Sequence, residues 1–179
     1  LKDINKYYTN YSPNVSELVV VGDITKEKLY SQLDFLREWE NKNIVLPNNF
    51  DFPEDKTTQI YLLEKEGASQ SLILMGHKSD PYDADGVYFK SQLMNKSLGG
   101  GASGRLFLNL REDKGYTYGA YSFFRGEKET GAFAIQTSVK TEVTDSALTE
   151  IFSILDNYTN KGLTKEELNS TKESYLNSA

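Results

Sequence analysis

The chain has 179 residues, with 20 Lys and Arg against 26 Asp and Glu, one His and no Cys, for a net charge of −6. That length suits one domain with a sizeable core, since folding at this size buries about 70% of the unfolded surface without staples. The acidic balance argues against nucleic acid, no apolar run reaches the ~20 residues of a membrane span, and the missing cysteines exclude disulfides, thiolate metal sites and a Cys nucleophile.

"DINKYY" (Asp3–Tyr8) reads as the tail of a helix and residues 12–14 as a turn. Because it starts at Leu1 inside that helix end, the chain is expected to be cut from something longer, with residues 1–10 closing a preceding linker helix. "ELVVVGD" (Glu17–Asp23) is a short apolar run closed by Gly22, which suits a strand buried on both faces. "ITKEKLYSQLDFLREWEN" starts a helix at the N-cap Thr25, with Leu29, Leu33 and Leu36 as its stripe. After the turn-rich connection 48–56, residues 57–65 and 69–78 read as two strands joined around Gly67.

A helix is expected from Pro81 or Tyr82 to Leu98, a glycine-rich break at "GGGASG", and a further helix in "RLFLNLRED". "YTYGAYSFF" and "GAFAIQTSV" are strands joined by a polar turn. Ala147, Leu148, Ile151, Leu155 and Tyr158 recur at helical spacing up to Gly162. A last helix opens with Thr164 and Glu167 as a capping box, and it is expected to be truncated. The order β-α-ββ-αα-ββ-αα predicts an α+β fold of two layers, with helices on one face of a mainly antiparallel or mixed sheet. Segments 17–22, 57–64, 70–77, 116–124 and 131–139 are its expected strands, in one domain spanning 1–179.

No complete catalytic set stands in the chain. One His supplies neither a zinc triad of ligands nor a Ser–His–Asp system, and His77 reads as a surface or capping residue. "SLGGGASGRL" lacks the Lys of a phosphate loop and follows a helix, so it reads as a flexible break. Arg111 is placed on the flank of its helix, one turn after Phe107, with Arg105, Asn109 and Glu112 facing away from the core. Gly115 suits the position that reverses the chain, and period two puts Tyr116, Tyr118, Ala120 and Ser122 on one strand face. Arg111 and Tyr118 therefore point into one space, as a rim packing pair or as groups that act on a ligand.

"YYTNYSPNVSELVVVGDI", "EGASQSLILMGHK", "LGGGASGRLFLNLREDKGYTYGAYSFF" and "GLTKEELNSTKESYL" together resemble the second, metal-free half-domain of the pitrilysin/insulinase family of zinc metallopeptidases, the mitochondrial processing peptidases included. The resemblance covers nearly the whole chain and implies the LuxS/MPP-like metallohydrolase fold. It implies a non-catalytic, substrate-binding domain, with zinc held by an H-x-x-E-H motif on a partner domain of the same protein or on a partner subunit. None of the zinc ligands is in this chain, so no cofactor is expected here and the chain alone should be inactive. The family's Arg and Tyr, seven residues apart and reaching across to the substrate, match Arg111 and Tyr118. Gly99, Gly100 and Gly101 lie where the processing peptidases carry a loop linked to substrate recognition. Implied partners are the zinc-bearing domain and a peptide substrate, with no nucleic acid and no membrane span; a homodimer is compatible with the pattern. The alternatives are a non-enzymatic paralogue or a stand-alone peptide-binding or scaffold module.

Overall fold

Strand β3 (Gly131–Lys140) is the middle of a three-stranded sheet, flanked by β1 (Gln70–Ser79) and β2 (Thr117–Gly126), and both pairings are antiparallel. The structure is a computed structural model that describes residues 1–46 and 57–178, so the connection 48–56 lies outside the described residues. The chain divides into two compact units, Leu1–Glu54 and Asp55–Ala179.

In the second unit, β3 alternates as its sequence dictates: Phe133, Ile135, Thr137 and Val139 are buried, while Ala132, Gln136 and Lys140 are exposed. The buried face is covered by α3 (Val87–Leu98), α4 (Arg105–Phe107) and α5 (Thr144–Lys161), and α6 (Lys165–Ser178) packs on α3. Leu98, Leu106, Leu110, Ala147, Ile151 and Tyr158 meet Ile73, Phe133, Ile135 and Val139 in one core. Each large side chain so buried stabilises by roughly 1.5–3 kcal/mol. This is the expected two-layer α+β arrangement, and the stripe read on α5 is its buried face.

The outer edge of β2 is closed by polar groups from α3 rather than by another strand. Asn95 Nδ2 donates to Ser122 O (2.7 Å), Ser122 Oγ donates to Asn95 Oδ1 (2.5 Å), and Gln92 Nε2 donates to Phe124 O (2.9 Å). The Ser122 N–H donates to Gly99 O at 2.9 Å. That approach needs a glycine, since a Cβ at position 99 would fall 2.5 Å from Ser122 Oγ and 2.7 Å from Ser122 N.

The first unit contains α1 (Lys2–Tyr8) and α2 (Lys26–Gln32), the latter capped as expected by Thr25, whose Oγ1 accepts from the Lys28 N–H. Ser12, fully buried, accepts from the Lys42 N–H (2.9 Å) and donates to Asn14 Oδ1 (2.7 Å).

Three expectations are corrected. Residues 17–22 and 57–64 form no strand, and their apolar side chains, Val19, Val21, Ile60 and Leu62 among them, are exposed. Apolar β-branched composition supplies the propensity for a strand, but a strand also needs a neighbour to take its N–H and C=O groups. The helix after Pro81 starts only at Val87, because the Asp83 carboxylate accepts from the N–H groups of Asp85 (3.3 Å) and Gly86 (2.9 Å) and holds 83–86 as a bend. Those same donors hold the Asp83 carboxyl below its ordinary range. Arg105 and Asn109 do not face away from the protein: Arg105 donates twice to Glu167 at 2.6 Å, and Asn109 donates to Glu150 at 3.0 Å. Among the described residues no helix is long and apolar enough to cross a membrane.

The capping box is present in full, with Thr164 N donating to Glu167 Oε2 (2.8 Å) and Glu167 N to Thr164 Oγ1 (3.1 Å). The Glu167 carboxyl is held below its ordinary range, first by its hydrogen bonds from Arg105, with burial opposing. A depressed folded-state pKa stabilises above the unfolded value of about 4.3, and that contribution is lost as pH falls through the folded value. Glu167→Gln is therefore expected to lower the urea midpoint at pH 7, and its gap to the parent protein should narrow below about pH 4. A gap that stays constant from neutral to acid pH would show that the charge contributes nothing.

Candidate functional site

Beyond Phe107 the helix widens into a π-helical stretch, Leu108–Asp113, closed by a bond from Lys114 N to Asn109 O at 2.9 Å. Gly115 (φ +65°) then reverses the chain in the left-handed region, and Tyr116 N returns to Leu110 O at 2.9 Å. Strand β2 begins immediately, so the helix end and the strand start lie side by side.

Two rungs join them. The rings of Phe107 and Tyr121 lie 5.8 Å apart, and one turn further on the guanidinium carbon of Arg111 lies 5.9 Å from the centre of the Tyr118 ring. The expected meeting of Arg111 and Tyr118 is thus present, at the outer limit of a cation–π contact. Tyr118 is 85% exposed, so its hydroxyl faces solvent.

The expected shared face is not. Tyr116 packs on the core, Ala120 and Ser122 are buried, and Tyr118 stands on the opposite face with Tyr121 and Phe123. The cause is a β-bulge: Thr117 pairs with Val139 and Ala120 with Thr137, so three steps on β2 match two on β3. The extra residue changes the parity of the strand. Sequence reading missed Thr117 and Thr137, which bond at the bulge; the isolated Gly119 inside a strand pattern is the signal that marks it.

Electrostatics leave Arg111 available. Lys114 lies between Glu150 (3.4 Å) and Asp113 (3.5 Å), and Glu150 also accepts from Asn109. Hydrogen bonding to Glu150, and then the charges of Glu150 and Asp113, raise the Lys114 amine above its ordinary range. Asp113 and Glu150 are engaged by Lys114, and no carboxylate pairs with Arg111 among the described residues. Beside Tyr118 the uncovered sheet face forms a depression of about 480 Å³ lined by Tyr121, Phe123, Gln70, Gln136 and Ser138. Leu72 and Leu74 of β1 extend this face with exposed apolar surface. A separate cavity of about 380 Å³ between α3 and α6 includes neither Arg111 nor Tyr118.

Gly99, Gly100 and Gly101 bond elsewhere: Gly99 N and Gly100 N both donate to Asn95 O, and Gly99 O accepts from β2. A Cβ on Gly100 would lie 2.9 Å from the Lys96 Cα, whereas Gly101 has open space around it. His77 sits with Nδ1 2.6 Å from Lys78 O and its ring against Phe133. Among the described residues no three His, Cys, Asp or Glu gather as metal ligands, so these residues do not fit a zinc ion.

The family described as "Peptidase M16 inactive domain" matches residues 1–175. An uncharacterized zinc protease of Bacillus subtilis, YmxG, is 26% identical over 163 residues, which are 91% of this chain and 39% of that protein. A probable inactive metalloprotease of the same organism, YmfF, is 22% identical over 87% of this chain and 36% of its own length. The chain thus spans less than half the length of these relatives. Among solved structures, a peptidase M16 inactive domain from Pseudomonas fluorescens superposes with a TM-score of 0.59 at 31% identity, covering 63% of this chain and 27% of that one. A protease from Helicobacter pylori superposes with a TM-score of 0.84 at 20% identity over 99% of this chain and 44% of its own, which speaks to the fold.

This chain alone is expected to hold no stoichiometric zinc. Elemental analysis after dialysis that found one tightly held zinc per chain, lost on His77→Ala, would overturn that expectation.

Proposed function

The chain belongs to the family of the peptidase M16 inactive domain, and from that premise we propose that it is the substrate-binding, non-catalytic domain of a zinc endopeptidase. On this reading its 179 residues serve as one peptidase-family domain, paired with a zinc-bearing domain of the same protein or of a partner subunit. The zinc supplies activation of water on that partner; this chain binds and orients. The observation that carries the reading is the unpaired Arg111 beside the exposed Tyr118, at the rim of an uncovered aromatic sheet face.

The chemistry suits an extended peptide. Tyr121, Phe123, Leu72 and Leu74 offer apolar contact to its side chains, and Gln70 and Gln136 offer amide groups to its backbone. Arg111 is always charged and presents two parallel donors, which hold a peptide carbonyl in a fixed orientation. The Tyr118 hydroxyl donates to the oxygen that gains charge when water adds to the scissile carbonyl, an interaction that strengthens as the charge develops. Of the glycine-rich break, Gly100 is exposed and Gly101 has room for a side chain, so these two rather than the buried Gly99 could touch a substrate.

A second reading, a paralogue that keeps the fold without activity, is favoured by the likeness to the probable inactive metalloprotease. The same measurement separates the two. In the assembled peptidase, Tyr118→Phe is expected to slow cleavage by ~10²–10³, the effect of about 3–4 kcal/mol typical of a lost oxyanion donor. Arg111→Ala should also raise KM, because each charge-assisted hydrogen bond contributes about 1.5–3 kcal/mol. Tyr116→Phe is the control: its ring packs on the core, and its loss of a hydroxyl should matter little. Equal cleavage by all four proteins would reduce the Arg111–Tyr118 contact to rim packing, and no cleavage by any would favour the inactive paralogue.

A further inference from the structure

The bulge that turns Tyr118 outward removes ladder partners from Gly119, the residue after it. A backbone N–H and C=O left without partners in a largely covered strand must be satisfied locally or the bulge collapses. Both groups are taken by hydroxyls. Gly119 N lies 3.1 Å from Thr117 Oγ1, and Gly119 O lies 2.9 Å from Thr137 Oγ1.

Each hydroxyl has one proton, and the distances indicate where it goes. Thr117 Oγ1 is 2.6 Å from Ser138 O, shorter than its 2.9 Å to Gly119 O, so it donates to Ser138 O and accepts from the Gly119 N–H. Thr137 then donates to Gly119 O and is spared for nothing else, although Thr117 Oγ1 is also 3.0 Å away. One proton serves each bond, and both backbone groups of Gly119 find a partner. Thr117 and Thr137 are buried, so water does not compete for these bonds.

We infer that Thr117 and Thr137 are positioning residues: their hydroxyls hold the bulge in the geometry that sets the Tyr118 ring beside Arg111. They touch no substrate and act only through Tyr118. This rests on the proposed role of Tyr118 and adds to it two residues that no motif marks. Thr117 sits between Tyr116 and Tyr118 in sequence, and Thr137 is twenty residues away on the neighbouring strand.

The test uses the assembled peptidase with a fluorotyrosine at position 118, read by fluorine NMR, together with steady-state cleavage of a peptide. Thr117→Val keeps the β-branched shape and removes the hydroxyl. It is expected to shift or broaden the fluorine resonance and to lower kcat about 10- to 100-fold with little change in KM, as a misplaced catalytic group does. Thr117→Ser, which restores the hydroxyl, should restore both signals. In a Tyr118→Phe background Thr117→Val should add less than about threefold, because residues acting as one unit are not additive.

A resonance unmoved by Thr117→Val, or losses that multiply in full in the double variant, would overturn the inference. Should Thr117→Val fail to fold, Thr137→Val, which deprives only the Gly119 carbonyl, carries the same test. The functional reading fails differently. If the resonance moves but Tyr118→Phe cleaves normally, the positioning stands and the catalytic role of Tyr118 is lost.

Discussion

Four helices meet at the guanidinium of Arg105. Its Nε and one terminal nitrogen grip Glu167 at the start of α6, that terminal nitrogen also donates to Gly162 O at the end of α5 (2.9 Å), and its face lies 4.8 Å from the Tyr158 ring. The Tyr158 hydroxyl in turn donates to Met94 O of α3 at 2.7 Å, with Ser97 Oγ at 2.9 Å. The pair is largely covered, so removing either partner would strand a charge, which costs far more than an exposed pair contributes. Arg105 opens α4, and everything that follows to Gly115 is laid out from that anchor. The π-helical stretch has a fixed base to widen from, and Arg111 has a fixed place on it.

Two departures from regular backbone then converge. A π turn adds one residue to a helix's hydrogen-bonded loop, and a β-bulge adds one residue to a strand. Here the first sits under Arg111 and the second under Tyr118, on either side of the Gly115 reversal. Without the bulge, period two would send Tyr118 to the buried face with Ala120 and Ser122, away from Arg111's open flank. The polar atoms disturbed by these departures are almost all accounted for. Asn109 Oδ1, in the π stretch, is the buried side-chain atom left without a partner among the described residues.

What could be read beforehand follows the range of the physics involved. The Thr164–Glu167 box, the α5 stripe and the Gly115 reversal depend on residues within one or two turns, and each is in place. The neighbourhood of Arg111 and Tyr118 was legible for the same reason, since only a tight reversal separates helix from strand. The face of Tyr118 was not, because Gly119 is the sole local mark of the bulge and one of the two hydroxyls that hold it comes from Thr137 across the sheet. Arg105 looked solvent-facing because its partner is sixty-two residues away. Residues 17–22 and 57–64 carry strand composition, but strand pairing is a relation between distant segments that composition does not specify.

The rim-packing reading of Arg111 and Tyr118 can be weighed on energy. A cation–π contact at an exposed site contributes about 0.5–1 kcal/mol, and a ring that is 85% exposed adds little burial. Against that stand a widened helix turn and a bulged strand, both departures from regular hydrogen bonding. Packing of this pair does not offset the irregular backbone that presents it. Asp113 and Glu150 are, moreover, engaged by Lys114 and Asn109, and no ion pair to Arg111 is present among the described residues. Stability alone gives no reason to leave that ring uncovered, and the proposed binding role supplies one.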